Sequence, residues 1–195
     1  MNICVYGSSS DAIDKNFILE GERLGEELAK RGHTLVFGAG AAGLMGASAR
    51  GTFKQGGKII GVAPKFFNVD GVLFDKCDEL IRPDTMRERK QILEDSSDAF
   101  IMTPGGIGTY EEFFEVLTLK QLDRHNKPIV ILNTNGYYDA MHELMKTTAE
   151  GGFMRDFTLK LYEMFETVDE VLDYIENYVP FEYDLDDVKH VGRQK

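Results

Sequence analysis

Short apolar runs alternate with longer amphipathic segments along the chain. The apolar runs predict strands at residues 3–6, 34–37, 58–62, 100–102 and 129–132, with shorter candidates at 79–81 and 161–165. Segments with a helical period follow most of these runs and end near residues 31, 55, 95, 151 and 178, and a further one begins near residue 108. Because short strands alternate with helices throughout, the pattern predicts an α/β protein with a parallel sheet.

The loops after the first, second and fourth of the five longer runs are rich in glycine or small hydroxyl residues. We predict a Rossmann-like, doubly wound parallel sheet with helices on both faces. If the longer strands take the order 3-2-1-4-5, these three loops meet at one crevice beyond the carboxyl ends of the strands, where ligands of such sheets bind.

Length and composition narrow the classes of protein and partner. The 195 residues predict a single nucleotide-binding domain over residues 1–178, followed by a tail at 179–195 that is either flexible or packed on a partner subunit. The net charge of −11 argues against nucleic acid or an anionic membrane as the main partner. We find no apolar run of membrane-spanning length and no signal peptide, and the two cysteines read as reduced thiols, so we expect a cytoplasmic protein.

The stretch from Met102 to Glu112 carries the strongest chemical signal. It contains Gly105, Gly106 and Gly108 between a predicted strand and a predicted helix. Glycines allow close backbone approach to a ligand, and a helix N-terminus is suited to an anion. Glu112 lies about one turn into the helix, near whatever the turn binds. The alternative is that this acid and its neighbour only stabilise the first helical turn.

Arg89 belongs to a charged run on the helix just before the fourth long strand. Such a run is often a solvated face. Met86, however, shares a helix face with Arg89 and Lys90, and a cation there could clamp a phosphate or a leaving group. A single carboxylate, Glu112, with a cationic companion suits hydrolysis of an N-glycosidic bond, because positive charge develops on the sugar as the base departs.

Other motifs are weaker. Residues 38–43 match the G-x-G-x-x-G spacing, but the acid that a dinucleotide site needs after the next strand is absent, which argues against a redox cofactor. Gly43 could contact phosphate or ribose, or allow close helix packing, and Ser8 could belong to a ligand loop or to an ordinary turn. The four histidines show no metal-ligand spacing, so we predict no metal site and no cofactor.

Together these motifs resemble the LOG (lonely guy) family of cytokinin riboside 5′-monophosphate phosphoribohydrolases, formerly labelled possible lysine decarboxylases. Residues 104–112 fit its P-G-G-x-G-T-x-x-E motif, residues 86–90 resemble its M-H-E-R-K, and residues 43–46 resemble its G-L-M-G. The first-strand G-S-S loop and the Gly-Tyr-Tyr-Asp at 136–139 also recur in the family. The resemblance covers roughly residues 1–178.

The resemblance implies a hydrolase that cleaves adenosine 5′-monophosphate, or an N6-modified form of it, to free base and ribose 5-phosphate. It implies a homodimer with the site near the subunit interface. The catalytic residues would be Arg89 and Glu112. The substrate-binding residues would be Gly105, Gly106, Gly108, Thr109, Lys90, Met86, Ser8 and Gly43.

Two residues depart from the family pattern. Arg87 replaces the histidine of M-H-E-R-K, and Ala39 interrupts the usual triple glycine. These changes leave the identity of the base open. The alternative function is a non-catalytic nucleotide-binding or molybdenum-cofactor-carrier-like protein, which would have no chemical need for paired Arg89 and Glu112.

Overall fold

The computed structural model describes residues 1–67 and 71–180. It contains a sheet of seven parallel strands in the order β4-β3-β2-β1-β5-β6-β7. The predicted order of the five longer strands is confirmed, and the two short candidates add one strand at each edge. Of the tail predicted at 179–195, residues 181–195 lie outside the described part of the chain. The strands are β1 Asn2–Tyr6, β2 Thr34–Phe37, β3 Ile59–Val62, β4 Glu79–Ile81, β5 Ala99–Met102, β6 Ile129–Leu132 and β7 Glu163–Phe165.

Within the described residues, six α-helices cover the two faces of the sheet, so the doubly wound Rossmann-like prediction is confirmed. One core lies between the sheet and α1, α2 and α6; the other lies between the sheet and α3, α4 and α5. The strands β2, β3, β5 and β6 are apolar runs because both of their faces are covered. The helices are α1 Lys15–Lys30, α2 Gly43–Lys54, α3 Met86–Asp95, α4 Ile107–Gln121, α5 Asp139–Glu150 and α6 Val168–Glu176.

Local sequence explains where α3 begins. The Thr85 hydroxyl accepts a hydrogen bond from the Glu88 N–H, and the Glu88 carboxylate accepts one from the Thr85 N–H. The two contacts form a capping box, which satisfies backbone donors that the first helical turn leaves free. The cap fixes the start of the helix that carries Arg89.

The apolar segment after β3 is a loop that packs on the core. Leu73, Phe74 and Cys77 pack against the core beneath α1, α2 and α6. Leu73 also forms an isolated antiparallel bridge with Gly40, so this segment is tied to the loop after β2. These contacts explain why a loop without a clear period is apolar.

The structure differs from the predicted elements after β6. A short 3-10 turn, Thr134–Gly136, precedes α5, which begins only at Asp139. A second one, Asp156–Lys160, leaves β7 with three residues instead of the predicted five. Within the part of the chain that the structure describes, no helix combines the length and apolar character needed to cross a membrane.

Candidate active site

A cavity of about 650 Å³ opens where the loops after β1, β2 and β5 meet. This is the predicted crevice, and it lies at the point where the chain crosses from one side of β1 to the other. The predicted site residues on its lining are Met86, Arg89, Gly106, Gly108, Thr109 and Glu112.

The N-terminus of α4 forms one wall of this cavity. Residues 106–109 line it, and the helical hydrogen bonds begin with the Tyr110 N–H, which donates to Gly106 O at 3.1 Å. The N–H groups that precede Tyr110 in this first turn therefore have no hydrogen-bond acceptor within the helix, and they lie at the positive end of the helix dipole. This wall is suited to an anion such as a phosphate.

Arg89 projects from the first turn of α3 into the interior and is only 7% exposed. Its Nε donates to Val62 O at 3.1 Å, and its Nη1 donates to Glu112 Oε1 at 2.7 Å. The Val62 carbonyl at the end of β3 thus holds one side of the guanidinium while the carboxylate occupies another. The two residues predicted to be catalytic form a buried, charge-assisted pair at the cavity.

Glu112 lies one turn into α4, and its side chain is 12% exposed. Burial raises the pKa of its carboxyl, and the neighbouring Arg89 guanidinium partly offsets the increase. A carboxyl group whose pKa is raised from its ordinary value toward neutrality is suited to accepting and returning a proton. The neighbouring Glu111 also lines the cavity, but it is half exposed and pairs with Lys90, so the two adjacent acids differ in burial and in partner.

Four other predicted site residues lie beside the cavity and are absent from its lining. Lys90 Nζ lies 2.7 Å from Glu115 Oε2 and also pairs with Glu111, so it links α3 to α4. The Gly43 N–H donates to Asp11 Oδ1 at 2.7 Å. In this structure, therefore, Lys90 and Gly43 bind neighbouring elements.

The other two predicted site residues that do not line the cavity are Ser8 and Gly105. The Ser8 N–H donates to Pro104 O at 3.0 Å, which joins the loop after β1 to the loop after β5. A Cβ atom on Gly105 would overlap the Thr109 hydroxyl, so the glycine allows the turn to pack on α4.

Across residues 1–67 and 71–180, no group of three or more His, Cys, Asp or Glu side chains is arranged to hold a metal ion.

The sequence interpretation missed the apolar part of the cavity lining, which we call the apolar wall. It consists of side chains from the loop after β3, from α2 and from the start of α4. The unusual apolar character of residues 66–78 was the available signal. The wall residues are Met45, Phe67, Val72, Leu73 and Ile107.

Gly38 sets the position of Arg89, because a Cβ atom at residue 38 would overlap Arg89 Nη2. We expect Gly38→Ala to displace the guanidinium and to lower kcat/KM by about tenfold or more, since small misplacements of reacting groups are costly. Steady-state kinetics and thermal melting measure the effects on activity and folding.

A double-mutant cycle tests whether Gly38 acts through Arg89. In an Arg89→Met background, Gly38→Ala should cost little further activity, because the group that it displaces is absent. Full additivity of the two losses would contradict this role of Gly38.

Fold and site together define a Rossmann-like α/β protein with a helix N-terminus suited to an anion and a buried arginine–glutamate pair beside it. The sequence model of the family described as "Possible lysine decarboxylase" matches residues 45–175, which include both members of the pair. The cytokinin riboside 5′-monophosphate phosphoribohydrolase LOG of Oryza sativa subsp. japonica is 36% identical over 183 residues, covering 94% of this chain and 75% of that protein. A cytokinin riboside 5′-monophosphate phosphoribohydrolase of Arabidopsis thaliana is 35% identical over 178 residues, covering 91% and 84%. The chain belongs to the LOG family.

Among solved structures, the fold is similar to that of the molybdenum cofactor carrier protein of Chlamydomonas reinhardtii. The TM-score is 0.67 with 24% sequence identity, and the match covers 90% of this chain and 94% of that chain. At this identity the similarity concerns the fold.

Proposed function

We propose that this protein is a phosphoribohydrolase that cleaves the N-glycosidic bond of an N6-substituted adenosine 5′-monophosphate, yielding the free base and ribose 5-phosphate. The buried Arg89–Glu112 pair at the cavity carries this proposal. The names of relatives at about 35% identity support hydrolase chemistry. The cytoplasmic location and the single domain over residues 1–178 remain predictions.

The proposed reaction uses three parts of the cavity. The phosphate occupies the N-terminus of α4 at Gly106, Gly108 and Thr109, which directs C1′ toward Glu112. The carboxylate of Glu112 stabilises the developing positive charge on the sugar and accepts a proton from water. The water oxygen bonds to C1′, the C1′–N bond breaks with its electron pair leaving on the base, and the base takes up a proton.

Arg89 has two tasks in this mechanism. Its charge lowers the pKa of Glu112 and so opposes the effect of burial. Because it also lines the cavity, it stabilises negative charge that accumulates on the departing base.

The apolar wall favours a base with an apolar substituent. Phe67, Val72 and Leu73 contribute carbon surface to the same cavity that the Arg89–Glu112 pair lines. Burying an alkyl substituent there would contribute about 0.8 kcal/mol for each CH₂ group. We therefore favour an N6-alkylated adenine over unmodified adenine.

A panel of nucleoside monophosphates tests the proposed function. The panel contains AMP, isopentenyl-AMP, GMP, CMP and UMP, with the free base and ribose 5-phosphate measured by chromatography. We expect the highest kcat/KM for isopentenyl-AMP. If no member releases its base, the protein is not a phosphoribohydrolase of these nucleotides.

The same experiment addresses the alternative function as a carrier. A carrier would bind its nucleotide or cofactor tightly and return it unchanged. Recovery of intact nucleotide at stoichiometric occupancy, without any base, would favour this alternative.

We also propose a homodimer that uses an exposed apolar face of α4. Ile107 and Phe114, seven residues apart on one face of this helix, are 84% and 37% exposed. Clustered apolar exposure is typical of an interaction surface, and Ile107 also lies at the cavity, so a second copy here would border the site.

Phe114→Lys tests this interface without altering the cavity lining. We expect light scattering to give twice the mass of one chain for the unaltered protein and a single-chain mass for the variant, with a severalfold loss of kcat/KM. Leu19→Lys is the control, because Leu19 is 62% exposed on α1, a helix of the other layer. Equal masses for both variants and the unaltered protein would argue against this interface.

A further inference from the structure

Two adjacent tyrosines follow β6, and their hydroxyl groups reach the backbone of the loop after β5. The Tyr138 hydroxyl donates to Thr103 O at 2.8 Å, and the Tyr137 hydroxyl donates to Gly105 O at 2.9 Å. Burial raises the pKa of the Tyr138 hydroxyl, so it stays protonated and remains a donor. Neither tyrosine is on the cavity lining.

With these contacts, each of the four consecutive carbonyl groups from Thr103 to Gly106 accepts a hydrogen bond. Pro104 O accepts from the Ser8 N–H at 3.0 Å, and Gly106 O accepts from the Tyr110 N–H at 3.1 Å. Thr103 O and Gly105 O accept from the two tyrosines. No carbonyl oxygen from residue 103 to residue 106 is therefore left to approach a bound anion.

For the carbonyls of residues 104 to 106, the planar peptide bond converts this arrangement into an orientation of the following N–H groups, whereas the peptide after Thr103 leads into Pro104 and carries no N–H. The C=O of one residue and the N–H of the next point in opposite directions across a trans peptide. The Tyr137 hydroxyl thus holds the N–H of Gly106 on the opposite side of the loop, and Gly106 lines the cavity. A glycine-rich turn without this contact could rotate its peptide and present an oxygen in place of a hydrogen.

We propose that the Tyr137 and Tyr138 hydroxyls are positioning groups that orient the loop after β5 for binding the 5′-phosphate of the substrate. This inference rests on the proposed function, because it assigns the phosphate to this loop. The tyrosines act through the backbone and do not contact the substrate.

The turn that carries the tyrosines is itself fixed. Asn133 Oδ1 accepts from the Tyr138 N–H at 2.7 Å, and Asn133 Nδ2 donates to Asp139 Oδ1 at 2.7 Å. The Tyr137 ring packs edge-on against Tyr138 at 4.8 Å and against Phe17 at 5.9 Å between ring centroids. Removing one hydroxyl should therefore leave the rings in place.

Tyr137→Phe is the decisive variant, because Tyr137 is 42% exposed and its substitution is compatible with folding. The probes are ribose 5-phosphate and inorganic phosphate, with binding measured by calorimetry without turnover. We expect their Kd values to rise by about five- to tenfold, the effect of one hydrogen bond. With isopentenyl-AMP, KM should rise by a similar factor while kcat and its pH profile stay within about twofold, because the surroundings of Glu112 are unchanged.

Two further variants complete the test. Tyr138→Phe should change phosphate binding in the same direction but less than Tyr137→Phe, because the Thr103 carbonyl precedes Pro104 and its contact fixes the start of the loop without orienting an N–H. Because Tyr138 is fully buried, its folding is checked by thermal melting. Tyr162→Phe is the control: its hydroxyl hydrogen-bonds to His142 Nδ1 at 2.9 Å in the same core, and its loss should leave phosphate binding unchanged.

The outcomes separate this inference from the proposed function. If the unaltered protein binds both phosphates and folded Tyr137→Phe binds them equally well, the positioning role is wrong and the proposed function stands. If the unaltered protein binds neither phosphate, the phosphate site and the proposed function both fail. A drop in kcat without a change in phosphate binding would also overturn the inference.

Discussion

Glu112→Gln is expected to lower kcat by about 10³-fold, within the range of 10² to 10⁴ for loss of a general acid or base. The amide keeps the shape of the side chain and can still accept from Arg89 Nη1, but it can neither accept a proton from water nor carry the charge that stabilises the sugar cation. Single-turnover kinetics with isopentenyl-AMP measure this loss directly.

Glu111→Gln is the matched control, because Glu111 precedes Glu112 on α4 but is half exposed and pairs with Lys90. We expect a loss of no more than about fivefold, since an exposed ion pair contributes little. The proposed mechanism would be wrong if the two variants lost activity equally, or if Glu112→Gln remained fully active.

Stability provides a second readout of Glu112→Gln. Because the folded-state pKa of Glu112 is raised above its ordinary value of 4.5, ionisation of this group opposes folding. The destabilisation is absent below the unfolded-state pKa and develops as pH rises through the folded-state pKa. The variant lacks this ionisation, so its melting temperature should fall less than that of the unaltered protein as pH rises from the ordinary pKa of 4.5 toward neutrality.

Arg89→Met should lower kcat/KM at neutral pH by about 10²-fold or more, because a buried cation that stabilises charge at the site is removed. It should also change the pH profile. Arg89 lowers the pKa of Glu112, so its loss raises that pKa further. If ionised Glu112 is the active form, the acidic limb of the kcat/KM profile moves to higher pH.

Arg87→Met controls for the loss of one positive charge on α3. Arg87 is exposed, two residues before the buried Arg89. We expect its removal to leave the acidic limb in place and to change kcat/KM by less than about threefold. An unshifted limb in Arg89→Met would show that Glu112 is not the titrating group.

Periodicity and caps were sufficient to predict most of the fold. The apolar runs of β1, β2, β5 and β6 are bounded by glycine or polar residues, and the capping residues Thr85 and Thr167 directly precede α3 and α6. The 3-10 turns around residues 134 and 156 were missed because a single short turn leaves no periodic signal.

The pairing of Arg89 with Glu112 was predicted because each lies on a short helical segment with a recognisable beginning. The contacts that hold the pair could not be predicted from residue types. Val62 O is a backbone atom, and Gly38 matters through the side chain that it lacks, so both depend on where the strands place them.

Ala39 illustrates how structure changes the meaning of a substitution. It breaks the triple glycine typical of the family, yet its φ of 60° is in the left-handed region that glycine favours. The loop after β2 therefore keeps a glycine-like backbone with alanine in this position, at a cost of about 1–2 kcal/mol.

Three ion pairs between α3 and α4 restrict how these helices can move. Arg89 pairs with Glu112, and Lys90 pairs with both Glu111 and Glu115. A shear of α3 along α4 by one helical turn, about 5.4 Å, would break the Arg89–Glu112 pair, whereas Lys90 could keep one of its two partners because they lie one turn apart. The cation–carboxylate separation at the cavity is therefore locked to the axial register of the two helices, and any opening of the cavity that preserves the pair must come from elements other than a sliding of α3.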